Sequence, residues 1–279
     1  MTRLIGGWRL CAVLAFVTTL FAFQQPFRVY RSLEAYDDIP LPPDYQEKAE
    51  WIQARLMYPP HPFARFGRWR GASSNWTEGG TSWSQDYPRA DRHFAAAVRR
   101  LTRTHSRSVE QPVNLNDDDD VYNWPWLCAG EMGDWKLTES QALKLRDYLL
   151  RGGFLYLDDF WGSAEWDRFQ ESMRMVFPDR AAVEIADEDT IFHTVYDLDD
   201  RYQIPGTWAL RRGTTYREGG SVPHWLAIFD DHGRIMVAMS FNSDVGDSWE
   251  WADDPTYPEK YSALGIRIGV NFAIYSLTH

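Results

Sequence analysis

Arg151-Gly152-Gly153-Phe154-Leu155-Tyr156-Leu157-Asp158-Asp159-Phe160-Trp161-Gly162-Ser163 reads as a helix end, a short apolar strand, an acidic elbow and the start of another helix. Gly152 can adopt the left-handed conformation that closes the preceding helix. Phe154 to Leu157 is an apolar run of strand length. Asp158 and Asp159 fall where that strand ends, and Ser163 is placed to cap the next helix with Glu165 in its first turn. Ligands of open α/β sheets sit outside the carboxyl ends of strands, so the two aspartates are the leading site candidates.

The same grammar extends outward. Upstream, Thr138-x-x-Gln141 is a capping box opening a helix with Ala142, Leu145 and Leu149 on its apolar face. Downstream, Trp166, Phe169, Met173 and Val176 stripe a helix that stops before Pro178. A further helix is expected over Ala90 to Arg103. Strands are expected at Phe63 to Phe66 with Trp69, at Pro112 to Leu115, at Val121 to Cys128 and, weakly, at Ala182 to Ile185. Trp225 to Phe229 and Arg234 to Ser240 flank Asp230-Asp231-His232-Gly233, a hairpin signal. Leu264, Ile268, Phe272 and Tyr275 stripe a terminal helix on which Gly265 and Gly269 permit close packing. Alternating strands and helices predict a mostly parallel sheet covered on both faces, with a late antiparallel hairpin.

The chain divides into three parts. Leu10 to Phe23 is a 14-residue apolar stretch behind Arg3 and Arg9, so residues 1–23 read as a signal peptide or an uncleaved N-terminal anchor. Residues 24–60 are a Pro-punctuated lead-in with one short helix expected over Tyr45 to Leu56, and residues 61–279 a single α/β domain. The expected location is exported, periplasmic or membrane-tethered, with membrane contact only through the N-terminal segment. Removal of that segment would leave Cys128 as the only cysteine and packing as the source of stability.

Of the 279 residues, 44% are hydrophobic and 25% charged, enough for a sizeable core. A net charge of −11 argues against a nucleic-acid partner or an anionic membrane surface. The 14 tryptophans serve either as large core residues or as platforms for a glycan or protein partner. Trp124, Trp126 and Trp166 read as core. Trp69, Trp76, Trp83, Trp161, Trp249 and Trp251 lie in polar, loop-like sequence. The long stretch from Gly71 to Tyr87 is a functional or mobile loop.

Several clusters carry two readings each. Asp158 and Asp159 are metal ligands, a general base or acceptors for a polyol; alternatively one accepts the turn's N–H groups and the other pairs with an arginine. Asn242-Ser-Asp244-Val-Gly-Asp247 either completes a crevice with them or forms an Asx turn at a strand end. His193, in Ile191-Phe-His-Thr-Val-Tyr196, is a catalytic base or a satisfied core histidine. Asp117 to Asp120 lacks the spacing of a calcium loop and reads as a solvated turn. No Gly-x-Ser-x-Gly elbow, phosphate loop or His-x-x-x-His pair is present, so no catalytic residue and no cofactor is assigned.

Asp86-Tyr-Pro-x-Ala-Asp-Arg-x-Phe94, Leu150-Arg-Gly-Gly-Phe-Leu-Tyr-Leu-Asp-Asp-Phe-Trp-Gly162, Phe177-Pro-Asp-Arg180, Ile191-Phe-His193, Asn242-Ser-Asp-x-Gly-Asp247 and Ile274-Tyr-Ser-Leu-Thr-His279 together carry a resemblance. The chain resembles the bacterial domain-of-unknown-function family numbered 4159 over roughly Pro62 to His279. The resemblance implies a flavodoxin-like fold close to class I glutamine amidotransferases, a three-layer sandwich. It implies no reaction. Where an amidotransferase carries its nucleophile after the central strand, this chain has Asp158-Asp159-Phe160-Trp161.

The leading expectation is therefore a non-catalytic binding domain of the cell envelope. Its ligand-binding residues would be Asp158, Asp159, His193, Asn242, Asp244 and Asp247, with Trp161 and Trp249 as walls, for a glycan, polyol or envelope protein. The rivals are a hydrolase using Asp158 or Asp159 as general base or metal ligand with His193 assisting, and a purely structural module.

Overall fold

The computed structural model describes residues 25–34, 36, 39–65 and 72–279. The expected signal or anchor therefore lies outside the described residues, as do Phe66 and Trp69 of the expected first strand. No described helix is long and apolar enough to cross a membrane.

Seven strands form one sheet: β1 (Ala54–Met57), β2 (Gln111–Asn114), β3 (Trp126–Ala129), β4 (Phe154–Leu157), β5 (Val183–Glu184), β6 (His224–Phe229) and β7 (Ile235–Phe241). Their spatial order is β2-β1-β3-β4-β7-β6-β5. Neighbours from β2 to β7 pair in parallel, and β6 and β5 extend the sheet antiparallel. The helices are α1 (Arg89–Leu101), α2 (Glu139–Leu150), α3 (Gly162–Val176), α4 (Thr207–Leu210), α5 (Val245–Glu250) and α6 (Glu259–Thr278).

Alternation along the strands feeds two cores. On β4, Leu155 and Leu157 point to the face covered by α2 and α3, while Phe154 and Tyr156 point to the face covered by α1, α5 and α6. Both sides are apolar, as a sheet buried on both faces requires.

The first strand differs from expectation. It is Ala54–Met57, inside the stretch read as lead-in, where the sequence predicts a helix; Pro62 and Phe63 lie in a turn instead. Arg55 hides this strand in the sequence. It is 4% exposed, and its Nε donates to Asp91 Oδ2 of α1 at 2.8 Å, so a charge sits in the sheet only because another faces it.

The β4 neighbourhood forms as its sequence dictates. The α2 capping box is present, with Thr138 and Gln141 bonding reciprocally. At its other end Gly152 has φ +110°. Gly153 N–H donates to Tyr148 O and Gly152 N–H to Leu149 O, the two bonds of a Schellman close. Ser163 does not cap α3. The helix begins one residue earlier, Trp161 is its N-cap, and the Trp161 N–H donates to Glu165 Oε2 at 2.7 Å.

Candidate functional site

The carboxyl ends of β3, β4 and β7 deliver Glu131, Asp158–Asp159 and Asn242–Asp247 to one region. Five non-glycine residues have positive φ among the described residues: Asp86, Glu131, Asp159, Glu218 and Asn242, at 52–62°. Glu131, Asp159 and Asn242 are at these strand ends, and Asp86 and Glu218 come from connecting segments that meet them. Such strain persists only where surrounding contacts over-determine it, and it gathers at functional sites.

The elbow sends its two aspartates apart. Asp158 turns toward α5: Ser240 Oγ donates to Oδ1 and Gly246 N–H to Oδ2 at 2.5 Å. Both oxygens are engaged, yet burial and then the neighbouring Asp159 charge push its carboxyl up to about 7. Asp159 turns to the other side, where the Trp161 indole N–H reaches Oδ1 at 2.6 Å and Arg217 Nη2 at 2.7 Å. Arg217 also lies 3.5 Å from Glu131 and 3.8 Å from Glu165. Arg217 thus faces three buried carboxylates, with the Arg65 guanidinium a second cation acting on them, and burial raises all three above their usual range.

A crevice of about 160 Å³ opens above this network, lined among others by Asp159, Trp161, Trp208, Arg217, Asp244 and Asp247. Asp244 caps α5, its Oδ1 accepting from Asp247 N–H at 2.9 Å. Asp247 Oδ2 accepts from both the N–H and the hydroxyl of Thr207. Gly206 makes room for both: an added Cβ would lie 2.2 Å from Asp244 Oδ2 and 3.0 Å from Asp247 Oδ2.

Behind Asp244 and Asp247 lies Asp86, one residue before the cis Tyr87–Pro88 bond. One oxygen each from Asp86, Asp244 and Asp247 fall within 4.8 Å of one another, and so do those of Glu34, Asp86 and Glu250. None of these five carboxylates takes part in an ion pair among the described residues. Burial is the largest cause raising the carboxyls of Asp86 and Asp244 well above their usual range, Asp247 to about 7 and Glu250 to about 10.

Other expected site residues stand elsewhere. Asn242 is structural here: its Oδ1 accepts from Gly162 N–H and its Nδ2 donates to Val222 O, tying three loops together. Trp249 is not a wall. It is 3% exposed and stacks on Phe94 with centroids 4.0 Å apart, because its place on α5 turns it into the core. Trp161 borders the crevice but is itself only 1% exposed, and the aromatic face open there is that of Trp208. His193 is neither in the crevice lining nor in a strand. It ends a 3-10 turn, bonded to Asp197 Oδ1 and Asp187 O, which raise its pKa. Cys128 is buried on β3, where Gln53 donates to its sulfur and burial pushes the thiol up.

Glu34, Glu131, Arg217 and Glu250 join the site without standing out in the sequence, and Asp86, which opens one of the motifs of the resemblance, joins it without having been read as a site residue. One signal points to part of the set: Asp244, Asp247 and Glu250 recur every third residue through a short helix, which keeps them near one another.

A family model described as a domain of unknown function (DUF4159) matches residues 74–277. No curated protein matches the chain.

Proposed function

The chain belongs to the domain of unknown function family DUF4159, and from that premise we propose that it is a non-catalytic binding domain whose strand-end acidic crevice holds a small polyhydroxylated ligand. The observation that carries this is the convergence of Asp159, Asp244 and Asp247 from two adjacent strand ends in one crevice whose open aromatic face is that of Trp208, 44% exposed. Carboxylates accept hydroxyl hydrogens, and flat aromatic faces pack on the apolar side of a sugar ring. The parallel strands follow the order β2-β1-β3-β4-β7, in keeping with a flavodoxin-like sheet, whose ligands also sit at carboxyl strand ends.

Covalent chemistry finds little support. The positions after the central strand are Asp158 and Asp159, the latter held by Trp161 and Arg217, and the Cys128 thiol is enclosed within the sheet. Asp158 has the acidity of a general base, but Ser240 and Gly246 already occupy its oxygens. Its role in this reading is to anchor the start of α5. The N-terminal apolar stretch supports placing the domain in the cell envelope, where glycans and polyols are available.

Thermal unfolding of the full chain against sugars, sugar alcohols and wall fragments tests the reading. A ligand at 100 times its Kd adds about 2.7 kcal/mol of stability. The shift should vanish in Asp244→Asn. Absence of any shift across the panel would remove the small-polyol class.

A further inference from the structure

We propose that the carboxylates around Asp86 form a divalent-cation site, with Asp86 the ligand shared by two groups: Asp244 and Asp247 on the crevice side, Glu34 and Glu250 on the inner side. The inference deepens the crevice reading, with which it shares Asp244 and Asp247.

The geometry suits a hard cation. Oxygens bound to one calcium ion at about 2.4 Å lie at most about 4.8 Å apart, and each group of three falls within 4.8 Å. All donors are carboxylate oxygens, the set that suits Ca²⁺, Mg²⁺ or Mn²⁺ rather than a softer metal.

Glu250 gives the independent indication. It is 0% exposed, and neither of its oxygens is met by a hydrogen bond of normal geometry, although the Trp251 indole N–H and the Glu34 carboxyl lie near enough to act on it. A buried carboxylate so poorly matched by donors is costly, and nearly all buried polar groups are matched. Glu250 points at Asp86 and Glu34, two more acceptors. What is missing from that space is positive charge. The backbone keeps the space open: a Cβ on Gly246 would approach Asp86 Oδ2 to 2.7 Å. Two of the nearby arginines are committed elsewhere, Arg55 to Asp91 and Arg217 to Asp159. The crevice, lined by Glu34, Asp244 and Asp247, provides the way in.

The test is calorimetric titration of the full chain, stripped with EDTA, with CaCl₂, MgCl₂ and MnCl₂ separately at pH 7.5, alongside thermal unfolding. Saturable binding and a raised Tm are expected for at least one ion. Asp86→Asn should weaken binding tenfold or more. Asparagine tolerates the positive φ of position 86, so this variant keeps the fold. Asp244→Asn and Glu250→Gln then place the ion: the larger loss marks the group that holds it. No saturable binding of any of the three ions, or equal binding by parent and Asp86→Asn, would overturn the proposal. A cation response without a polyol response leaves the cation site standing and the polyol class fallen. A polyol response without a cation response does the reverse.

Discussion

Arg217 Nη2 lies 2.7 Å from Asp159 Oδ1, with both side chains only 6% exposed. The pair fixes the conformation of the acidic elbow from a segment 58 residues away in the chain. Glu131 and Glu165 crowd the same guanidinium. Removing one partner of a buried pair strands the other charge and costs about 3–5 kcal/mol. Arg217→Met should therefore lower stability by about that much in urea unfolding. The double variant with Asp159→Asn should recover part of the loss. Equal stability of Arg217→Met and parent would mean the three carboxylates are neutral, or balanced by Arg65, without it.

The elevated Asp158 carboxyl predicts a pH dependence opposite in sign to that of an ordinary paired aspartate. Its usual value is 3.8, and in the folded chain it is pushed up to about 7. The folded state thus binds a proton more tightly than the unfolded state. This contribution is fully present below pH 3.8 and is lost as pH rises toward 7. Its size is on the order of a few kcal/mol, since each tenfold gain in proton affinity is worth about 1.4 kcal/mol. In EDTA, urea unfolding should give higher stability at pH 5 than at pH 7.5. Asp158→Asn should flatten that slope, because asparagine accepts from Gly246 through its carbonyl oxygen and donates to the Ser240 hydroxyl without titrating. An unchanged slope in the variant would assign the effect to other carboxyls.

Trp208 separates binding from folding. It is 44% exposed at the crevice, with the Arg212 guanidinium 3.3 Å from its ring centroid. Truncation gives up about half of a tryptophan's burial and two cation–π contacts, with Arg212 and with Arg65, worth about 0.5–1 kcal/mol each. Trp208→Ala should therefore lower the urea midpoint while leaving the chain folded. In the same variant, the polyol that stabilises the parent should lose most of its effect on Tm. Full retention of that effect would place the ligand away from this wall.

The β4 elbow was legible because every local signal agreed: a capping box, a glycine close, a strand-length apolar run and a striped helix. The hairpin and the packing glycines of α6 were legible for the same reason. The first strand was not, since Arg55 breaks its apolar pattern and only Asp91, on another element, makes the strand tolerable. Part of the candidate site was visible where it was local, in Asp158–Asp159 and Asp244–Asp247. Asp86, Arg217 and Glu250 gain their meaning from segments far apart in sequence. Trp249 misled because polar neighbours suggested exposure, whereas on a helix the residue two places from Asp247 faces another direction, here the core.

That inward tryptophan makes Gly269 a sensitive position. It lies on α6 against the stacked rings of Phe94 and Trp249, and an added Cβ would meet them at 2.5 and 2.7 Å. Both rings are buried, so neither can swing out to solvent. Gly269→Ala gains helix propensity of about 1 kcal/mol, but overpacking a filled core costs about 1–3 kcal/mol. With two rigid rings to displace, the overpacking wins and the urea midpoint should fall. Gly130→Ala is the control, as nothing lies within 4 Å of its added Cβ and its φ is not positive; it should be neutral or slightly stabilising. The displacement should also reach the site. Trp249 sits on α5 between Asp247 and Glu250, so moving its ring moves the helix that carries both carboxylates. Gly269→Ala should thus weaken cation binding in calorimetry at temperatures where it remains folded. A lowered midpoint with unaltered cation affinity would show that α5 absorbs the strain without passing it to its carboxylates.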